Sequence, residues 1–245
     1  MAKKMIYNKD LAEIRDLYDN INEEYELFRD DDLSPYALIE FPSLINLIKD
    51  YNLKFSSLLD IGCGCGDLVA YFNQKGIKSL GIDISSGMID KAQKRYPEIK
   101  ECFKVGSSTE LSAKSGSFDA VVSIEVFHYL SLPDTDKSFR EVFRVLKPGG
   151  FFIFIVTHPL RISLKSGVDY FYEGKVKLFW SSMKKKVSHF HRPIDKWVEH
   201  ILKAGFNLET IREPSPSKEI IRKHPRLCQK YLSLPYRLLF LAKKR

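Results

Sequence analysis

LLDIGCGCGDL, residues Leu58 to Leu68, is the stretch from which the rest of the chain is read. An apolar run ends at Asp60, passes through glycines at alternate positions (Gly62, Gly64, Gly66), and resumes as an amphipathic pattern at Leu68, Val69, Tyr71 and Phe72. That is a strand, a tight loop and a helix. Alternating glycines permit positive φ and let a ligand approach the main chain with no side chain intervening. Set on a helix N-terminus, such a loop suits an extended, partly charged small molecule.

Working outward, the acidic residue closing the next apolar run, Ser79 to Asp83, lies roughly 20 positions beyond the first loop glycine, the offset of a carboxylate that binds ribose hydroxyls. Gly76 punctuates the helix before that run, and Ser85 can cap the helix after it, which turns Met88, Ile89 and Ala92 inward and breaks at Pro97. Ile99 to Val105 reads as a third strand and Phe118 to Ile124 as a fourth. Phe139, Val142, Phe143 and Leu146 mark a helix before the turn Lys147 to Gly150, and Phe151 to Val156 is uninterrupted apolar sequence, as a central parallel strand should be.

Upstream, Leu11, Ile14, Tyr18, Ile21, Tyr25 and Phe28 recur every three or four residues, so one long helix is expected, with a second from about Pro42. Downstream, the regular rhythm stops at Thr157-His158-Pro159. The segment 160–192 carries Tyr170, Phe171, Tyr172, Phe179 and Trp180 among lysines and is too long for an ordinary connection, so it is expected to form a substrate cap of hairpin or short-helix type. A helix through Trp197 closes at Gly205, and two last apolar runs, Phe206 to Ile211 and Tyr236 to Leu241, suggest an antiparallel hairpin at the sheet edge. The expected fold is α/β: a doubly wound sheet binding its ligand at the strand carboxyl ends, within one domain 1–245 whose first 54 residues form a helical lid.

Composition narrows the function. The 245 residues carry a formal net charge of +8, with lysine clusters at 184–186 and at the C-terminus, but no nucleic-acid module signature accompanies them, so nucleic acid is not the expected partner. No apolar run approaches the roughly 20 residues of a membrane span, and MAKKMIYNKD lacks the apolar region of a signal peptide; a soluble, cytoplasmic protein is expected. Among four cysteines only Cys63 and Cys65 are close, and C-x-C inside a glycine loop lacks zinc-site spacing; they read as small packing residues, and no metal is expected.

Four segments in register, LLDIGCGCGDL, GIDISSGMIDKA, GSFDAVVSIEVFHYL and FRVLKPGGFFIFIVTHP, resemble the class I S-adenosylmethionine-dependent methyltransferases of the small-molecule, type 11 group. HFHRPIDKWVEHILKAGF, the Glu213-Pro214 pair and RLLFLAKK resemble its C-terminal part. The resemblance implies a seven-stranded Rossmann-like sheet with strand 7 antiparallel and S-adenosyl-L-methionine as cofactor. It implies that Asp60 and Gly62 to Gly66, Cys63 included, line the methionine moiety, that Asp83 takes the ribose hydroxyls, and that Ile84 and Met88 lie against the adenine. Ile124 and Glu125 would flank the sulfonium through their backbone, and Tyr18 or Tyr25 would cover the cofactor. Ser107 and Ser108 stand where the family usually has an acidic residue facing the adenine amino group. The third loop glycine also comes one residue too early for the G-x-G-x-x-G of a pyrophosphate loop.

The expected reaction moves a methyl group to an oxygen or nitrogen of a small, apolar or aromatic metabolite. An RNA or protein acceptor, an NAD-type oxidoreductase and a non-catalytic cofactor-binding module are the competing readings. For a hydroxyl or phenol acceptor, His158, His191 and His128 are the candidate bases. Phe171, Tyr172, Phe179 and Trp180 are the candidate acceptor pocket.

Overall fold

A computed structural model describes residues 8–245; Met1–Tyr7, and with them the first residues of the expected lid and of the stretch read for a leader, lie outside the described residues. In chain order the elements are α1 (Lys9–Asp30), α2 (Phe41–Asp50), β1 (Ser57–Ile61), α3 (Asp67–Gln74), β2 (Lys78–Asp83), α4 (Ser86–Arg95), β3 (Phe103–Val105), β4 (Phe118–Ile124), α5 (Leu132–Val145) and β5 (Leu146–Thr157). They continue with α6 (Pro159–Ser166), β6 (Gly174–Trp180), β7 (Lys185–His191), α7 (Ile194–Lys203), β8 (Phe206–Arg212), α8 (Lys218–Lys223), α9 (Pro225–Leu232) and β9 (Arg237–Lys244). The main sheet has seven strands in the order β3-β2-β1-β4-β5-β9-β8, and β9 runs antiparallel to both of its neighbours. No helix among the described residues is long and apolar enough to cross a membrane.

Strand side chains alternate between two faces, and each face has its own helices. Leu59, Val121, Phe152, Phe154 and Phe240 pack with Phe139 and Val142 of α5 and Trp197 and Ile201 of α7. Their neighbours Leu58, Ala120, Val122, Ile153 and Leu239 pack with Leu44 and Leu47 of α2 and Leu68 and Phe72 of α3. This is the doubly wound arrangement, and it sets the carboxyl ends of β1, β2, β4 and β5 along one rim.

Three expectations need correction. The third strand is only Phe103–Val105, because Pro97 starts a short 3-10 segment through Cys102 that consumes the earlier residues. The last two strands pair antiparallel at the sheet edge as expected, but in swapped order: β9 is inserted between β5 and β8, and β8 takes the edge. The reason is burial, since Leu238 to Ala242 are apolar on both faces and need a strand on each side, whereas β8 is only partly covered. Their connection, expected only as a Pro-rich charged link, contains α8 and α9.

The segment 160–192 folds as α6 followed by the β6-β7 hairpin, which lies against α1. Trp180 packs edge-on against Tyr18, Tyr25 and Phe28, with ring centroids 6.5, 5.9 and 5.8 Å away. Lys175 also bridges Asp10 and Glu13, each at 2.7 Å. Such half-exposed ion pairs are worth about 0–1 kcal/mol each, and aromatic pairs about 0.5–1.5 kcal/mol beyond their area, so the tryptophan is the main attachment.

The glycine loop is fixed by collisions that any side chain would create. At Gly62 (φ +75°) a Cβ would stand 2.1 Å from Val126 Cγ2, and at Gly66 (φ +89°) 2.7 Å from the buried Phe103 ring. Gly66→Ala therefore combines left-handed strain with overpacking; chemical denaturation is expected to show a loss of at least about 2 kcal/mol, and an unchanged midpoint would contradict the packing described.

Candidate active site

Two adjoining cavities lie over the strand carboxyl ends. The first, about 700 Å³, is walled by Gly62, Gly64, Asp83, Ile84, Met88, Ser107 and Ser108 below and by Leu11, Ile14, Tyr18 and Tyr25 of α1 above. The second, about 840 Å³, lies between α1, the β6-β7 hairpin, α6 and the start of β9. Tyr18, Tyr25, Glu125 and Tyr129 line both, so the two spaces meet there.

Asp83 is the anchor of the first cavity. Its carboxylate accepts from the Gly64 amide at 3.0 Å and the Ser85 amide at 2.9 Å. Burial nevertheless pushes the group up to about 6, those amides opposing the shift. Asp60, at the end of β1, is buried and pushed up to about 7 by desolvation, with Arg29 pulling it down. Two carboxyls raised in this way favour a ligand that brings hydroxyl donors or positive charge. Ser107 and Ser108 keep their positions in the wall, but their hydroxyls are already engaged, with Thr109 and Ser138 respectively, each at 2.8 Å.

Of the expected cofactor residues, Asp60, Cys63, Gly66 and Ile124 do not line the first cavity; they shape it from behind. Cys63 packs on Gly81, where a Cβ would come within 2.8 Å of its Cβ and Sγ, and burial raises the Cys63 thiol and lifts Cys65 to about 12. Both thiols are therefore protonated packing groups. Leu11, Ile14, Ile61, Ile82, Gly106, Val126, Tyr129 and Leu130 complete the wall and were missed. Leu11 and Ile14 have the spacing of ordinary core residues, and only the placement of α1 across the sheet rim distinguishes them.

The histidines separate clearly. His158 does not line either cavity: its Nδ1 accepts from the Leu160 amide at 3.1 Å, capping α6, and its Nε2 meets Glu213 at 3.1 Å. His191 is fully buried, its Nδ1 against the Tyr172 carbonyl at 2.6 Å, and it too lies outside both cavities. His128 does line the second cavity, stacked 4.9 Å from His189 at an interplanar angle of 7°. Its Nδ1 receives the Thr157 amide at 3.4 Å, and burial beside His189 depresses it well below the usual histidine range, so it is neutral with its proton on Nε2. His189, absent from the sequence candidates, sets Nδ1 against the Val187 carbonyl at 3.3 Å; donation there leaves Nε2 as an acceptor, and burial lowers this ring to about 4. Phe179 and Trp180 line the second cavity, whereas Phe171 and Tyr172 do not and are exposed.

Glu125 occupies the junction. It has φ +61°, unusual for a non-glycine residue, and strain of this kind concentrates at functional positions. Oε2 accepts from Thr157 Oγ1 at 2.8 Å and pairs with Arg237 at 3.0 Å, while the buried Oε1 has no hydrogen-bond partner. Burial and the neighbouring Glu40 raise its pKa against the pull of Arg237. Glu40 and Arg237 are the other surprises, joined at 2.6 Å. Each is a charge inside an apolar run, ALIEF and YRLLFLA, and that interruption was the available signal.

The comparisons agree with this geometry. A family model described as "Methyltransferase domain" matches residues 59–154. A demethylmenaquinone methyltransferase of Lactococcus lactis is 28% identical over 230 residues, covering 82% of this chain and 87% of that one. An uncharacterised Haemophilus influenzae protein is 27% identical over 222 residues, covering 80% and 84%. The crystal structure of an S-adenosylmethionine-dependent methyltransferase from Mesorhizobium loti superposes with a TM-score of 0.73 at 27% identity, covering 84% of this chain and 97% of that one. Sheet order, the glycine loop and these relatives define an enzyme of the Rossmann-like transferase class that uses S-adenosylmethionine. The match over residues 59–154 and these relatives support a class I S-adenosylmethionine-dependent methyltransferase of the type 11 group.

The residues present fit that cofactor: open main chain at Gly64, where a Cβ would meet only the Tyr25 ring at 3.8 Å, and a carboxylate at Asp83 for two hydroxyl donors. Asp83 must be ionised to accept both donors, so affinity for S-adenosylhomocysteine is expected to fall as pH drops through about 6. Asp83→Asn should weaken binding by about 1–3 kcal/mol above that pH and remove the step near it, as measured by titration calorimetry. An unchanged isotherm would remove Asp83 from the site.

Proposed function

We propose that this enzyme methylates an oxygen or nitrogen of a small, aromatic or otherwise apolar metabolite held in the second cavity. The observation that supports the reading is that the two cavities adjoin, with Tyr18, Tyr25, Glu125 and Tyr129 lining both. In this reading α1 is the lid and the β6-β7 hairpin with α6 is the cap. Between them the walls present Phe28, Tyr36, Phe179 and Trp180 to a flat acceptor. A pocket roofed on two sides suits a small molecule better than a folded polymer. The Lactococcus relative, whose name specifies demethylmenaquinone, is consistent with an apolar acceptor.

When bound, S-adenosylmethionine supplies an electrophilic methyl group whose sulfur is already a good leaving group. The chain must then align the acceptor, exclude water and dispose of one proton. Alignment alone can supply much of the rate. Tyr18 and Tyr129, linked OH to OH at 3.1 Å, form a rigid partition beside the junction. For the proton, Glu125 is better poised than the histidines, because its free Oε1 stands at the junction and its pKa is displaced upward, towards the working pH. His189 Nε2 is the weaker base and serves to accept a hydrogen bond that orients the acceptor. His158 and His191 take structural parts in this scheme.

Labelled cofactor incubated with cell extract, followed by mass identification of the product, tests the acceptor class: label is expected in the small-molecule fraction, and label in RNA or protein would displace this reading. On the acceptor so found, Glu125→Gln should lower kcat by about 10²-fold or more and flatten its rise with pH. An unaltered pH profile would leave alignment as the whole of catalysis.

A further inference from the structure

Within the second cavity the charges do not balance. Arg237 is paired with both Glu40 and Glu125, and Arg29 lies 3.7 Å from Asp67 with its guanidinium 3.1 Å over the Tyr36 ring. Arg161 and Lys165, one turn apart on the same face of α6, also line the cavity, and neither makes a hydrogen bond or ion pair with any described residue. Arg161 is half-buried and stacks 4.0 Å from the centroid of Tyr236, which Arg237 approaches at 4.3 Å. One ring thus carries two guanidiniums. Every charged group acting on Lys165 is a cation: Arg161, Arg237 and Lys230. An exposed lysine needs no partner. A half-buried arginine held beside another arginine carries both desolvation and like-charge repulsion, which an anion would offset. Both residues line only the second cavity; Glu125 at the junction acts on Arg161 as an anion but is already bonded to Arg237 and Thr157.

We propose that Arg161 and Lys165 form an oxyanion subsite, so that the methyl acceptor carries a carboxylate or phosphate on the part of the molecule remote from its methylated atom. This deepens, and rests on, the reading of the second cavity as the acceptor site. The guanidinium offers paired donors in the geometry of either oxyanion, and the lysine adds a point charge from the next turn. The stacked Tyr236 holds the guanidinium plane in place. A single molecule filling this cavity would lay its ring along Trp180 and Phe28 and its anion on α6, which fixes which of its atoms reaches Glu125.

The test uses the full chain saturated with S-adenosylhomocysteine, titrated calorimetrically with benzoate, phenyl phosphate, benzamide and inorganic phosphate. Benzoate or phenyl phosphate is expected to bind at least about tenfold more tightly than neutral benzamide. The better of the two assigns carboxylate or phosphate. Arg161→Gln should cut affinity for that anion about tenfold, Lys165→Gln should act in the same direction, and Arg161→Lys should retain part of it, with S-adenosylhomocysteine binding intact as the control for folding. Benzamide binding as tightly as benzoate, or both glutamine variants binding the anions unchanged, overturns the subsite while leaving the aromatic acceptor reading in place. Inorganic phosphate binding as well as phenyl phosphate, with loss in Arg161→Gln, supports the subsite and counts against an aromatic acceptor. Failure of all four probes to saturate the loaded protein overturns both.

Discussion

The buried guanidinium of Arg237 holds together the parts of this enzyme that the sheet alone would leave apart. It opens β9, bonds Glu40 at 2.6 Å in the π-helical turn Tyr36–Glu40 ahead of α2, and reaches Glu125 at 3.0 Å just past β4. Thr157 at the end of β5 is drawn in as well, donating to Glu125 and receiving Arg237 at 3.3 Å. One cation thus ties the N-terminal region, two parallel strand ends and the antiparallel strand into a single wall. A buried triad of this kind gives little net stability against an apolar replacement, but loss of one member strands the others without compensation, at roughly 3–5 kcal/mol. Its value is positional. It holds Glu125 in a left-handed conformation that the backbone would not adopt by itself.

That constraint explains why the cavities meet where they do. Glu125 follows the last residue of β4, and the hydrogen bond from its amide to the Ile155 carbonyl at 2.8 Å keeps the turn pinned to β5. The carboxylate is then directed across the rim instead of along it. Val126, the next residue, fills the space over Gly62. The glycine loop is consequently closed by Val126 at Gly62 and open at Gly64, and the same turn lines both cavities.

Much of the frame was legible because it is repetitive. Strands β1, β2, β4 and β5 are apolar runs closed by Asp60, Asp83, Ile124 and Thr157, and parallel topology places all such ends on one rim. The positive φ values at Gly62, Gly64 and Gly66 were implied by their alternation. What sequence pattern could not supply was anything set by long-range pairing. The insertion of β9 between β5 and β8 depends on which strands find two neighbours, and the pairings of Glu40 and His189 depend on chain segments about 200 and 60 residues away. Histidine illustrates the point. His158 follows β5 and His191 ends β7, and both look reactive, yet each ring is held by a backbone contact outside the cavities, whereas His189 sits mid-strand and faces the cavity only because the hairpin folds over α1.

The chemistry asks for little beyond arrangement, and the structure divides that arrangement into separable parts. In the proposed reading, recognition of the cofactor resides in β1 and β2 and in the loops that follow them, which a doubly wound sheet presents along one rim. In the proposed reading, selection of the acceptor resides in α1, α6 and the hairpin, which meet the sheet and its loops through side chains, Tyr18 on Tyr129, Arg161 on Tyr236 and His189 on His128, and not through strand pairing with the main sheet. Side-chain attachments can change one residue at a time, while strand pairings move as a register. A fixed methyl donor and a replaceable acceptor pocket follow from that difference, and the proposed acceptor contacts are accordingly Arg161, Lys165 and His189, not the glycine loop.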